Sequence, residues 1–201
     1  MDYNDFKRQY EMRKKAEDAE EAQEPETAEA DEQQETQDEE AETDDTEQDG
    51  ADSDVIGMLR KILADEIVSY YAYFAGAKNI RGENWMDVKQ EFEQHAEEER
   101  GHFEAIFGRL YQLGYNCQDM LKDVQSNCGY YWDVDTIEPK KAAEIARDAE
   151  RKAVEAYEKL LAYISKQDPD KKDFVTQRLA KQHLETEQDH LQDMERLVEE
   201  F

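Results

Sequence analysis

Apolar residues recur at a period near 3.6 along four long stretches of the chain, and no credible run of strict alternation interrupts them. The spacing predicts a first helix from about Ser53, a suitable N-cap, to Arg81, with Gly82 as its terminator. A second begins after Asn84 and ends at Leu113, before Gly114. The third follows Thr136, carries Pro139 in its first turn and reaches about Lys166. Asp168 and Pro169 supply a cap and a first-turn proline for a fourth helix running nearly to Phe201. Short links close the first and second helices, and the third and fourth, into antiparallel hairpins. More than twenty residues, Gly114 to Thr136, separate the hairpins. The expected class is therefore all-α, an antiparallel four-helix bundle with a long crossover between helices 2 and 3. Within the crossover, Gln118 to Gln125 is itself compatible with a short helix, and Cys117 and Cys128 flank it.

Before Ser53 this periodicity is absent. From Ala16 to Asp52 there is no Lys, Arg, Val, Ile, Leu, Met or aromatic residue. Such a segment cannot bury enough apolar area to offset the entropy lost on ordering. Residues 1–52 are expected to be a disordered acidic tail, and residues 53–201 the bundle. Residues 1–15 differ, because Tyr3, Phe6, Tyr10 and Met12 alternate with Lys7, Arg8, Arg13, Lys14 and Lys15. They read either as a frayed end or as a docking peptide for a protein partner.

The chain has 53 acidic and 25 basic residues, a formal charge of −28, of which −17 lies in the first 52 residues. That sign opposes binding to nucleic acid or to an anionic membrane. There is no apolar run of membrane length, and the polar N-terminus lacks the apolar core of a secretion signal, so a cytoplasmic location is expected. Two cysteines exclude a four-cysteine zinc or iron site.

The chemistry lies in charged residues that fall on the apolar stripes. Glu66 interrupts the stripe Leu59, Ile62, Leu63, Tyr70 and Tyr73. Glu99 and His102 sit among Val88, Phe92, Phe103, Ile106 and Leu110, and Glu150 among Ala143, Ala146, Val154, Tyr157 and Leu161. Glu187 and His190 sit among Ala180, Leu184, Leu191, Met194 and Val198. Each helix thus aims one carboxylate at the core. Four converging carboxylates are untenable alone in a low-dielectric interior. Two divalent cations would balance them, and with two neutral imidazoles they form an oxygen-rich shell suited to iron or manganese. A Glu and a His three residues apart share one helix face, so each E-x-x-H can present both groups to one cluster.

An internal repeat supports this. Gln94 to His102, QHAEEERGH, aligns without gaps to Gln182 to His190, QHLETEQDH, and all four histidines of the chain belong to the pair. Tyr73 and Tyr157 each follow a core glutamate by seven residues. His95 and His183, one turn before Glu99 and Glu187, are placed behind the ligands as hydrogen-bonding supports, with an additional metal or a proton relay as the alternatives. Tyr73 and Tyr157 are expected to donate hydrogen bonds to ligand carboxylates.

The set Glu66, Glu99 with His102, Glu150, and Glu187 with His190 resembles the ferritin-like superfamily, and specifically the bacterioferritin-type dinuclear site. The resemblance covers residues 53–201. It implies that Glu99 and Glu187 bridge two metals, that Glu66 and Glu150 are terminal, and that His102 and His190 bind one metal each. Arg100 stands where bacterioferritins carry their haem-ligating methionine, so no haem is expected. The first helix has no histidine, which excludes the usual intersubunit Dps site. The cysteines and the crossover helix point to the Dps-like (thioferritin) branch, with Cys117 and Cys128 as a disulfide, two free thiols or a redox pair.

The resemblance implies a ferroxidase that binds two irons per bundle, oxidises Fe(II) with O2 or H2O2, and serves iron storage or detoxification in a homo-oligomeric cage. A dinuclear oxygenase, peroxidase or manganese catalase without storage is the alternative enzyme. A bundle with a structural metal site, tethered to a larger assembly, is the non-enzymatic alternative.

Overall fold

A computed structural model describes residues 54–116, 120–129 and 138–201. Five helices follow in order: α1 Val55–Asn79, α2 Trp85–Gln112, α3 Met120–Asn127, α4 Pro139–Ser165 and α5 Phe174–Glu199. Among the described residues there is no strand. The family of contacts is that of two hairpins, α1 with α2 and α4 with α5, with α3 lying on α1. The expected bundle and its crossover are therefore present. The crossover helix runs two residues beyond the predicted end, to Asn127. The tail, the docking-peptide segment and Cys117 lie outside the described residues.

Helix ends follow local chemistry. The cap of α1 falls on Asp54 rather than Ser53, because the Asp54 carboxylate accepts the Gly57 N–H at 2.8 Å. The backbone leaves α1 at Ile80, which turns extended (φ −56°, ψ 131°), whereas Gly114 (φ 86°) takes the left-handed conformation that stops α2 at low steric cost. Pro139 occupies the first turn of α4, where no intrahelical N–H bond is lost.

The start of α5 corrects the sequence expectation. Asp168 caps only a turn, accepting the Asp170 N–H at 3.0 Å, and the helix begins five residues after Pro169. Asp173 prevails because it has more partners. Its carboxylate accepts the Thr176 N–H at 2.9 Å and the Thr176 hydroxyl, and receives both 2.8 Å bonds of a forked contact from Arg109 of α2. Burial opposes its charge, yet Thr176 and Arg109 hold its carboxyl below the usual carboxylate range. One residue thus starts α5 and ties it to α2.

Two apolar clusters fill the bundle. Leu59, Ile62, Leu63, Ile106, Leu110, Tyr157, Leu160 and Ile164 form one. Tyr73, Ile80, Val88, Phe92, Met194 and a run of small side chains from α4, Ala142, Ala143, Ala146 and Ala149, form the other. Along every long helix the core acids fall between the two. Gly76 lets α1 approach α2, since a Cβ there would stand 3.0 Å from two ring carbons of Phe92. Nothing within 4 Å explains a glycine at Gly101 or Gly108.

Replacing Asp173 with Ala removes the cap and leaves Arg109 without its carboxylate. A loss of about 2 kcal/mol in urea unfolding is expected. Asp168→Ala, which touches only a turn, should stay within about 0.5 kcal/mol of the parent. Equal effects would show that Asp173 is not the anchor of α5.

Candidate metal centre

The four long helices bring all six predicted groups to one buried layer. Glu66, Glu99, Glu150 and Glu187 are each at most 3% exposed, with His102 and His190 beside them. The imidazoles face this layer through Nδ1. His102 Nδ1 lies 2.7 Å from Glu187 Oε1, 3.4 Å from Glu66 Oε2 and 3.6 Å from Glu99 Oε2. His190 Nδ1 lies 3.3 Å from Glu99 Oε1, 3.7 Å from Glu187 Oε2 and 3.9 Å from Glu150 Oε2. Two compact donor groups result: Glu66, Glu99, His102 and Glu187, and Glu99, Glu150, Glu187 and His190. Glu99 and Glu187 belong to both.

These donors fit a pair of metal ions. Both carboxylate oxygens of Glu99, both of Glu187 and the Nδ1 atoms of His102 and His190 are buried, and none has an aligned hydrogen-bond partner. Buried polar atoms in folded proteins are nearly always satisfied, so this many orphans converging on one volume indicates a missing partner. Six oxygen and nitrogen donors in two sets of four, two of them shared, are consistent with a dinuclear site.

Without metal, protons must balance the charge. Burial, with the charges of Glu99 and Glu187, pushes Glu66 well above the usual carboxylate range, and burial with the charges of Glu187 and Glu99 does the same to Glu150. Burial alone would raise Glu99 and Glu187 too, but contacts from His102 and His190 help to hold both low. Burial opposes protonation of the imidazoles. The carboxylates outweigh it, driving His102 up to about 12 and His190 well above its ordinary value. Two imidazolium ions therefore stand in for cations, and the raised Glu66 and Glu150 carboxyls lessen the charge that remains to be balanced.

The surrounding groups brace the donors across the bundle. The Tyr73 hydroxyl of α1 donates to Glu150 of α4, and the Tyr157 hydroxyl of α4 donates to Glu66 of α1. Burial and these carboxylates keep both phenols protonated, their pKa values raised. Each tyrosine thus serves the opposite hairpin, not the glutamate seven residues before it. His95 stacks on His190 with centroids 4.0 Å apart, and His183 stacks on His102 at 4.2 Å. Burial lowers His95 to about 3 and His183 to about 4, aided by the charge on the neighbouring imidazole, so both are neutral. His183 Nδ1 lies 2.9 Å from the Tyr157 hydroxyl, whereas neither nitrogen of His95 has a hydrogen-bond partner.

Glu98 was not foreseen. Its carboxylate meets His190 Nε2 at 2.6 Å and so fixes which nitrogen faces the acids. In the sequence it is one of a run of charged residues and is indistinguishable from its solvated neighbours. A cleft of about 610 Å³ lined by Gln94, Glu98, His102, His190 and Asp193 reaches this edge of the layer. A groove of about 620 Å³ at the end of the bundle, around Arg81 and Pro139, contains none of these groups.

Fold and donors together define an all-helical ferritin-like bundle. A profile of the ferritin-like domain matches residues 56–201, and the chain belongs to that family. It is 29% identical over 128 residues to the "DNA protection during starvation protein" of Pyrococcus furiosus, covering 61% of this chain and 68% of that protein. Among solved structures it is similar to a dodecameric thioferritin, the bacterioferritin-related protein of Bacteroides fragilis. The TM-score is 0.62 at 27% identity, over 73% of this chain and 84% of that one. The DPS protein of Vibrio cholerae O1 shares the fold, with a TM-score of 0.66 at 13% identity over 74% and 91% of the two chains. Among the described residues, no helix is long and apolar enough to cross a membrane.

Because metal ions and protons compete for the same groups, loading should release protons. His102 and His190 hold theirs at neutral pH, and the pKa values of Glu66 and Glu150 are raised in the same sense, so loading with two Mn(II) ions should expel at least about two. Affinity should rise with pH and fall steeply toward pH 5, because acid favours the protonated form that cannot bind. Calorimetry in buffers of different ionisation enthalpy measures both quantities. Binding indifferent to pH would contradict this account.

Proposed function

We propose that the bundle is a ferroxidase whose substrates are Fe(II) and either O2 or H2O2. The supporting observation is the pair of four-donor groups that share Glu99 and Glu187. In this reading those two carboxylates bridge two irons. Glu66 and His102 complete one position, and Glu150 and His190 complete the other. Each Fe(II) gives up one electron. Hydrogen peroxide accepts the pair with two protons to yield two waters, or O2 accepts it with two protons to yield hydrogen peroxide. Removing two electrons together avoids one-electron oxygen radicals.

The protein's own groups prepare this step. Tyr73 and Tyr157 orient the terminal carboxylates, and Glu98 holds His190 with Nδ1 inward. Mn(II) suits the same donors. The physiological role is iron storage or detoxification in a homo-oligomeric cage. The Bacteroides fragilis relative, described as dodecameric, supports such an assembly. So do apolar side chains left on the surface of the single chain, Tyr71, Phe74, Met86, Tyr111, Phe174 and Val175. A net charge of −28 favours cation capture over DNA contact.

Anaerobic metal-free protein loaded with graded Fe(II) and then exposed to H2O2 or O2 tests the proposal. Iron retained through gel filtration should far exceed two per chain, and rapid oxidation should vanish in Glu99→Ala. Tyr73→Phe should keep the fold and slow oxidation by about tenfold. Retention stopping at two would assign the site to a dinuclear enzyme without storage. Unimpaired oxidation in Glu99→Ala would overturn the ferroxidase reading.

A further inference from the structure

The repeat that pairs His102 with His190 also pairs His95 with His183, 88 positions apart, but the two imidazoles have different surroundings. His183 has the Tyr157 hydroxyl. His95 is fully buried, and both of its ring nitrogens lack hydrogen-bond partners. Its Nε2 faces two carboxylates instead: Asp193 Oδ2 at 3.6 Å and Glu91 Oε2 at 3.9 Å. These separations exceed a hydrogen bond. They match the span of donor atoms sharing one ion, since two metal bonds of roughly 2.1 Å keep their donors about 3 to 4 Å apart.

The same 88-residue offset maps Glu91 onto Leu179, and Asp193 onto Ala105. The half whose histidine is satisfied by tyrosine has apolar residues at these places, and the half with the unsatisfied histidine has two acids. General acidity of the surface does not account for this, because the acids meet at the imidazole with both ring nitrogens orphaned.

We propose that Glu91, His95 and Asp193 form a third divalent-cation site, which takes a first-row transition ion such as Fe(II), Mn(II) or Co(II). One nitrogen and two carboxylate oxygens suit such ions and leave coordination positions for water. Glu91 and Asp193 also line an open groove of about 310 Å³ with Asp87, Glu200 and Arg196, which gives ions a way in. Arg196 pairs with Oδ1 of Asp193 and leaves Oδ2 toward His95. Since His95 stacks on His190, an ion at this outer site lies one imidazole from the dinuclear layer. Service as a staging point for that layer rests on the ferroxidase reading, whereas binding itself does not.

The test is equilibrium dialysis of the full chain against Co(II), with excess Mg(II) and salt to mask surface acids. The parent is compared with Glu91→Leu/Asp193→Ala, which installs the residues of the other half and leaves His95 in place. The parent should retain about three Co(II) per chain and the variant about two. Two in both would overturn the outer site and leave the dinuclear reading standing. One in the parent and none in the variant would keep the outer site and overturn the dinuclear reading. None in either would overturn both. If circular dichroism shows the variant unfolded, Glu91→Gln/Asp193→Asn replaces it, with the same loss of one ion expected.

Discussion

Four carboxylates in the interior of a helical bundle must be neutralised, and the rest of this structure follows from how that is done. An isolated buried carboxylate is too costly to persist ionised. Here contacts with Glu66, His102 and His190 hold Glu99 low and contacts with the two imidazoles hold Glu187 low, while burial and neighbouring charge push Glu66 and Glu150 up. A single proton is a poor partner for several orphaned oxygens, whereas a divalent ion contacts many at once. The apolar clusters on either side lower the dielectric around the layer. They therefore make the charge balance severe in the metal-free state and the gain from a bound cation correspondingly large.

Reciprocal bracing turns two hairpins into one site. Each tyrosine reaches from one hairpin to a carboxylate of the other, so neither half is complete alone. The forked Arg109 contact to Asp173 makes a comparable link between α2 and α5 at a distance from the acids. The positions of the core acids are consequently set by packing between hairpins as well as by helix geometry.

The donor set was legible because a charge on an apolar stripe is visible in one dimension, and a threefold spacing fixes which face it occupies. Glu66, Glu99, His102, Glu150, Glu187 and His190 converge for that reason, and the four long helices follow from the same periodicity. What depends on distant partners was not legible. Asp168 and Asp173 are equally good local caps, and Asp173 prevails through Arg109, 64 residues away. That the tyrosines donate to core carboxylates was legible, but which carboxylate each one reaches was not, because sequence shows spacing along a helix, not the rotation of one hairpin against another. Glu98 was hidden by the charged residues around it.

The repeat also explains how a nearly symmetric layer acquires a direction. Glu91, Glu98 and Asp193 cluster about His95 and His190, and the positions that match them in the repeat carry Leu179, Thr186 and Ala105, all uncharged. The six central groups keep the two-fold relation. The acids just outside do not. Fields from clustered carboxylates add in a cleft with apolar walls, and they fall away within about a Debye length of roughly 8 Å in salt. The negative field of these acids is therefore strongest on the His190 side. The opposite side, with Tyr157 closing on His183, is left to hold the geometry.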